Sequence, residues 1–368
     1  MIGLEPEPRS AGLAGQVGSL TRTCAFATGV LFLTCASVIA SDYVEPKPGL
    51  CGFDHEALTF KGSPTEQAKC LLRPVRQGAA LGEELRALPP PFDAIVGQPF
   101  HLQASAVRTY LWNRNILEAE VGGSLGNPVS SALSNDPLAP AARYFVLHDT
   151  STPNCSHGRQ AGCSRLGQMP AKRDTKAWPW NDERLVIMRT TPSQDREPVG
   201  HVFIGRTGIS KTALDFSEPW RATQLEKQDP SYPARGLFLH IESVQPRIGL
   251  PAVPDARDEP NDLIAPTPGF TQSQYERLAL VYVAASARRG EWLVPAFHAV
   301  LDHGIGTHDD PQNFDLAAWG TALTRIIEDI GPDLNAVAAQ FSGEEDELRS
   351  VQTQPTGAIG GRDSGLTE

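Results

Sequence analysis

RYFVLHDTST, residues 143–152, decides how this sequence is read. Tyr144, Phe145, Val146 and Leu147 make a short apolar run, which predicts a strand over 143–147. The run stops at His148, Asp149 and Thr150, so side chains able to bind a metal or move a proton stand at the strand's carboxyl end. Working outward, similar runs predict strands at 185–189, 201–205, 237–242 and 298–302. Thr271 and Gln274 form a T-x-x-Q capping box ahead of Tyr275, Leu278, Val281, Tyr282 and Ala285 at helical spacing, so a helix is expected to begin there. A second helix is expected from about Leu316 to Ile330, ended by Gly331-Pro332. This order predicts an α/β (α+β) fold, a central mixed sheet flanked by helices with a site at one edge of a cleft.

LDHGIGTHDDPQNFDL, residues 301–316, holds the remaining groups of interest. His148, His303 and Asp310 together offer two imidazoles and one carboxylate. That set binds Zn²⁺ with a fourth position open to water, the composition of a catalytic rather than a structural site. Asp309 competes with Asp310 for the ligand place, and the following Pro311 favours Asp310. Asp149 and Asp302 are candidates to orient the imidazoles from behind.

The segments around these residues resemble the zinc-dependent N-acetylmuramoyl-L-alanine amidases of the type 2 amidase and peptidoglycan-recognition superfamily. The family's V-I-H-x-[ST] is matched by Val146, Leu147, His148, Asp149 and Thr150. Asp302-His303 stands for its G-H-x-[DE]-like turn, without the glycine. His308, Asp309, Asp310, Pro311, Gln312, Asn313, Phe314 and Asp315 follow its K/H-x-D-P-G-P-x-F-D frame, with Gln for Gly and Asn for Pro. HVFIGRTG (201–208) matches H-Y-x-I-x-R-x-G, and GLFLHIESV (236–244) matches the G-I-E-L strand. These five segments run in the family's order over about residues 143–328.

The resemblance implies Zn²⁺ held by His148, His303 and Asp310, and Glu242 as the catalytic base that takes a proton from water and returns it to the leaving amine. His308, where the family has Lys or His, is implied as the partner of the developing oxyanion. The implied activity is hydrolysis of the amide between N-acetylmuramic acid and L-alanine in peptidoglycan or muropeptides. A recognition module that binds without cutting, and a zinc amidase for another amide, are the alternatives. Three further departures bear on the cleft and the base. His240 stands where G-I-E-L has Gly, Gly200 where a Tyr precedes the 201–208 segment, and PWRATQLE (219–226) only echoes the A-W-H-A-G segment that shapes the cleft. His240 alternates onto the same strand face as Glu242, so His240, His201 and Trp220 are expected to line the substrate cleft. Trp292 and Trp319 are expected in the core.

The 368 residues carry a net charge of −11 without a basic block, which argues against a nucleic-acid partner. Residues 23–40 are apolar and uncharged and end in Val38-Ile39-Ala40, predicting a signal peptide over 1–40 with Ser41 as the new terminus. Export to the periplasm or outside the cell follows, with no stable membrane span after cleavage. Four of the six cysteines remain after cleavage, and their short spacings predict the disulfides Cys51–Cys70 and Cys155–Cys163. Residues 41–140 form a Pro/Gly-rich region of unassigned role with linkers at Pro89-Pro90-Pro91 and Pro128–Pro140. The zinc domain is expected over 141–335, followed by a flexible acidic tail over 336–368. A monomer is expected.

Overall fold

The computed structural model describes residues 49–76, 80–133, 138–151, 199–228, 233–249, 264–306 and 308–331. All of them belong to one compact unit, Pro46–Glu368, while the other unit, Met1–Glu45, lies outside the described residues. The expected signal peptide, the strand at 185–189, Cys155, Cys163 and the acidic tail also lie outside them.

The chain builds a mixed α/β fold. In order it forms β1 (Phe53–Asp54), β2 (Thr59–Phe60), α1 (Pro64–Leu71), α2 (Phe92–Ile95), α3 (Ala104–Asn113), β3 (Tyr144–Asp149), β4 (Val202–Ile204), β5 (Ser210–Thr212) and β6 (Phe238–Ser243). Helix α4 (Gln272–Arg289), strand β7 (Val294–Phe297) and the one-turn helix α5 (His298–Leu301) follow. A last helix, α6, occupies residues 316–331. Five strands make one sheet in the order β5-β4-β6-β3-β7. β3 runs parallel to both neighbours and β4 parallel to β6, whereas β5 pairs antiparallel with β4.

β3 and β6 are buried along their whole lengths, as expected for parallel strands covered on both faces. Thr271 caps α4 in the expected box with Gln274, and Gly290 ends the helix in the left-handed conformation at φ 74°, which glycine adopts without a Cβ penalty. From α4, Tyr282 reaches the sheet and the α6 residue Trp319, and its hydroxyl donates to Leu293 O at 2.6 Å. Trp292 and Trp319 are both fully buried.

The expected strand at 298–302 is a correction. The strand lies one step earlier, at Val294–Phe297, and His298–Leu301 is helical. Pro295, inside this strand, has no N–H for a ladder. β7, however, is an edge strand paired only with β3, where a missing donor is tolerated.

The region expected to contain linkers folds into the same core as the sheet: Phe60, Leu71, Phe92, Val107 and Leu111 join the cluster that holds Tyr144, Phe238 and Trp319. Its attachment to β3 is specific. Phe60 N donates to Tyr144 Oη at 3.0 Å, Tyr144 Oη donates to Gln67 Oε1 at 3.2 Å, and Gln67 Nε2 donates to Phe60 O at 2.8 Å. The disulfide Cys51–Cys70 ties the lead-in to β1 to α1. Pro89-Pro90-Pro91 leads directly into α2 and its buried Phe92. Among the described residues, no helix is long and apolar enough to cross a membrane.

Candidate metal centre

The site lies at the carboxyl end of the central strand. His148 is the penultimate residue of β3, and His298 opens α5 immediately after the neighbouring β7. Asp310 comes back to them from the turn that precedes α6, where Ala299 N donates to Asp310 O at 2.9 Å. The three side chains meet out of water, with His148 at 3%, His298 at 4% and Asp310 at 3% exposure.

Their contacting atoms form a compact triangle. His148 Nδ1 and His298 Nδ1 are 2.9 Å apart, His298 Nδ1 and Asp310 Oδ2 3.0 Å, and His148 Nδ1 and Asp310 Oδ2 3.6 Å. Donors on a tetrahedral zinc with bonds of 2.0–2.1 Å stand about 3.3 Å from one another. The triangle brackets that spacing, and these three residues could hold a metal ion.

His303 is not in the triangle. It is exposed, past the end of α5, while His298 occupies the place expected for it. His303 was singled out by the likeness of Asp302-His303 to a G-H-x-[DE]-like turn, and in the fold that pair lies past the end of α5. A usable signal existed: the apolar run Val294–Phe297 ends directly on His298, as Tyr144–Leu147 ends on His148. Asp310, rather than Asp309, faces the imidazoles. Asp309 turns the other way, accepting from Gln312 Nε2 and standing 3.7 Å from Arg247 Nη2.

Both imidazoles have their remaining nitrogens engaged. His298 Nε2 meets Asp302 Oδ2 at 2.9 Å, and His148 Nε2 meets His240 Nδ1 at 3.1 Å. Asp302 therefore stands behind the imidazole of His298. Asp149 does not. It pairs with the buried Arg247 at 2.8 Å and accepts from Gln312 N at 3.2 Å, while its backbone N–H donates to Asp310 Oδ2 at 3.3 Å. Its contribution is to clamp the 309–312 turn onto the end of β3.

The electrostatics separate the histidines. Burial, reinforced by the positive charge on His298, pushes His148 and His240 down to about 3, so both are neutral near pH 7. For His298 burial acts downward too, but Asp310 and Asp302 outweigh it and hold its pKa well above the usual range. Burial would raise Asp310; the charge and hydrogen bonds of His298 and His148 reverse this and hold it well below the carboxylate range. In the metal-free protein a proton on His298 Nδ1 thus occupies the space between the three donors.

Glu242 pairs in register with His148 across β3 and β6, so the two side chains share a sheet face, and it is 6% exposed. A Cβ added at Gly200 would come within 3.0 Å of Glu242 Cγ, so the glycine gives this carboxylate its room. His308 lies at the rim, its side chain 29% exposed, stacked on His298 with ring centroids 4.3 Å apart and Nδ1 3.8 Å from Asp310 Oδ1. Burial and then the His298 charge lower its pKa. His298, Asp302 and His308 form a second trio with metal-binding spacing on the other side of the shared ring.

The expected cleft residues behave differently. His240 and His201 are both 0% exposed and form the packing behind His148. His201 Nδ1 accepts from His240 N at 3.0 Å, and its Nε2 donates to Glu218 O at 3.1 Å, so it is not a fourth ligand. Trp220 is half-buried, with the Arg235 guanidinium 5.7 Å from its ring centre. Sequence reasoning missed Glu226, a fully buried carboxylate next to His240 whose pKa burial raises to about 7. No protein-family model, curated protein or solved structure matches the chain.

Proposed function

We propose that the protein is a zinc-dependent amidase that cleaves the bond between N-acetylmuramic acid and L-alanine in peptidoglycan. The observation that carries the reading is the convergence of His148, His298 and Asp310 with Glu242 on the adjacent strand position. Two histidines and one carboxylate suit Zn²⁺ and leave room in its coordination for water and substrate. When bound, zinc would polarise the scissile carbonyl and bring the pKa of a coordinated water towards about 7.

The chain's own groups handle the proton and the charge. Glu242 accepts a proton as the water oxygen bonds to the carbonyl carbon, then delivers it to the L-alanine nitrogen as the C–N bond breaks. His308 donates an N–H to the carbonyl oxygen while that oxygen carries negative charge. Asp149 and Arg247 hold the Asp310 turn in place from behind. The disulfide Cys51–Cys70 accords with an exported protein, since such bonds persist in oxidising compartments.

The test is mass spectrometry of soluble products after incubation with purified peptidoglycan, with and without a zinc chelator. Stem peptides beginning at L-alanine and lost on chelation are expected. A protein that holds zinc yet releases nothing from wall or muropeptides would overturn the reading and favour a recognition module or another amide substrate.

A further inference from the structure

His240 and Glu226 are too deep to touch a substrate, yet both are buried polar groups aimed along one line at a metal-binding imidazole. His148 Nε2 lies 3.1 Å from His240 Nδ1, and with a metal ion on His148 Nδ1 it would carry the proton and donate to His240. His240 Nε2 would then be the protonated nitrogen, and it lies 3.4 Å from Glu226 Oε1 and 3.2 Å from Oε2. Glu226 is itself fixed: Oε2 accepts from Ala222 N at 2.9 Å, Thr223 N at 3.0 Å and Thr223 Oγ1 at 2.9 Å. His240 is held from its backbone by His201.

The same turn reaches the second imidazole. Asp302, which accepts from His298 Nε2, in turn accepts from Gln224 N at 2.8 Å and Leu225 N at 3.1 Å. Residues 222–226 therefore support both imidazoles from behind, one through Asp302 and one through Glu226 and His240.

We propose that Glu226 and His240 are positioning residues of the metal centre, a carboxylate–imidazole relay that fixes the tautomer and ring orientation of His148 so that its Nδ1 lone pair points at the ion. The inference rests on the metal assignment above but not on which amide is cleaved. A metal-binding imidazole is held by the partner of its other nitrogen, and losing such a partner lowers metal affinity by about 10–100-fold. Here that partner is a second histidine, and its tautomer is set one step further out by Glu226.

The test compares zinc dissociation constants, by chelator competition, for the full chain and its Glu226→Ala and Glu226→Gln variants, with a thermal melt of each metal-free protein. Glu226→Ala is expected to weaken zinc by about 10–100-fold, and Glu226→Gln, whose amide oxygen still accepts from His240, to recover most of the loss. Because Glu226→Ala also removes the acceptor for Ala222 and Thr223 in the buried turn, imidazole ¹⁵N NMR of the unsubstituted zinc-loaded protein supplies a second readout: His148 and His240 should both carry their proton on Nε2. A folded Glu226→Ala protein with unchanged zinc affinity, or a His240 protonated on Nδ1, overturns the proposal. Absence of zinc binding by the unsubstituted chain overturns both this proposal and the metal assignment. A relay that tests as expected in a protein without amidase activity leaves the inference standing and removes only the functional reading.

Discussion

Replacing His298 and His303 in turn separates the ligand that the fold selects from the one that the local sequence suggested. The two residues lie five positions apart, but His298 is buried within 2.9–3.0 Å of His148 and Asp310, whereas His303 is exposed. Four-ligand zinc sites bind with about 10–16 kcal/mol, or roughly 3–4 kcal/mol per ligand, so losing one of three protein ligands should weaken zinc by about two to three decades. The informative substitution is His298→Gln. In the metal-free protein His298 neutralises Asp302 and Asp310, both at most 3% exposed, and alanine would leave two buried carboxylates facing each other, at about 3–5 kcal/mol. Glutamine keeps a hydrogen-bond donor there while removing the imidazole lone pair. His303→Gln, an exposed change, should leave affinity within about twofold. Zinc dissociation constants from chelator competition, with circular dichroism to verify folding, provide the assay. A folded His298→Gln protein that binds zinc as tightly as the unsubstituted chain, or a His303→Gln protein that loses zinc, would refute the site.

Other consequences are equally direct. Glu242→Gln should retain zinc and lower turnover by about 10²–10⁴-fold, read from product release by mass spectrometry. Zinc has to displace the proton on His298, whose pKa is raised, so binding near pH 7 should release about one proton and tighten by up to about tenfold per pH unit as pH rises. Calorimetry in buffers of different ionisation enthalpy measures this, and zero net release would count against the protonated hub. In the metal-free protein, His148, His201 and His240 have folded pKa values near 3 against about 6.5 when unfolded, so the stability they contribute is present above 6.5 and is lost as pH falls towards 3. His298 has the opposite sign: its contribution is full below about 6.5 and fades as pH rises through its elevated folded value. A urea midpoint series across pH tests both arms. The disulfide closes a loop with a sequence separation of 19, so Cys51→Ala with Cys70→Ala should lower unfolding stability by about 3 kcal/mol in urea denaturation.

Much of this molecule is legible in short stretches of sequence because their patterns are local. An apolar run ending at His148 specifies a strand and its polar tip. Thr271 and Gln274 specify the start of α4 through two reciprocal hydrogen bonds three residues apart. The short spacing of Cys51 and Cys70 suggested their pairing, and the fold brings them together as a disulfide. The motif singles out Glu242 on a strand, and the parallel register of β3 and β6 sets it opposite His148.

What the tertiary structure alone decides is which local candidates converge. His298 and His303 flank the same helical turn, and the choice depends on where the edge strand β7 ends beside β3. Asp309 and Asp310 are neighbours in sequence, but the turn sends one to Arg247 and the other to the imidazoles. Glu226 and His240 carry no motif for a relay; the register of β6 against β3 and the fold of the 222–226 turn bring them into line. Helix and strand patterns are set by neighbours along the chain, whereas a metal site is set by side chains that meet only after the sheet has fixed its strand order.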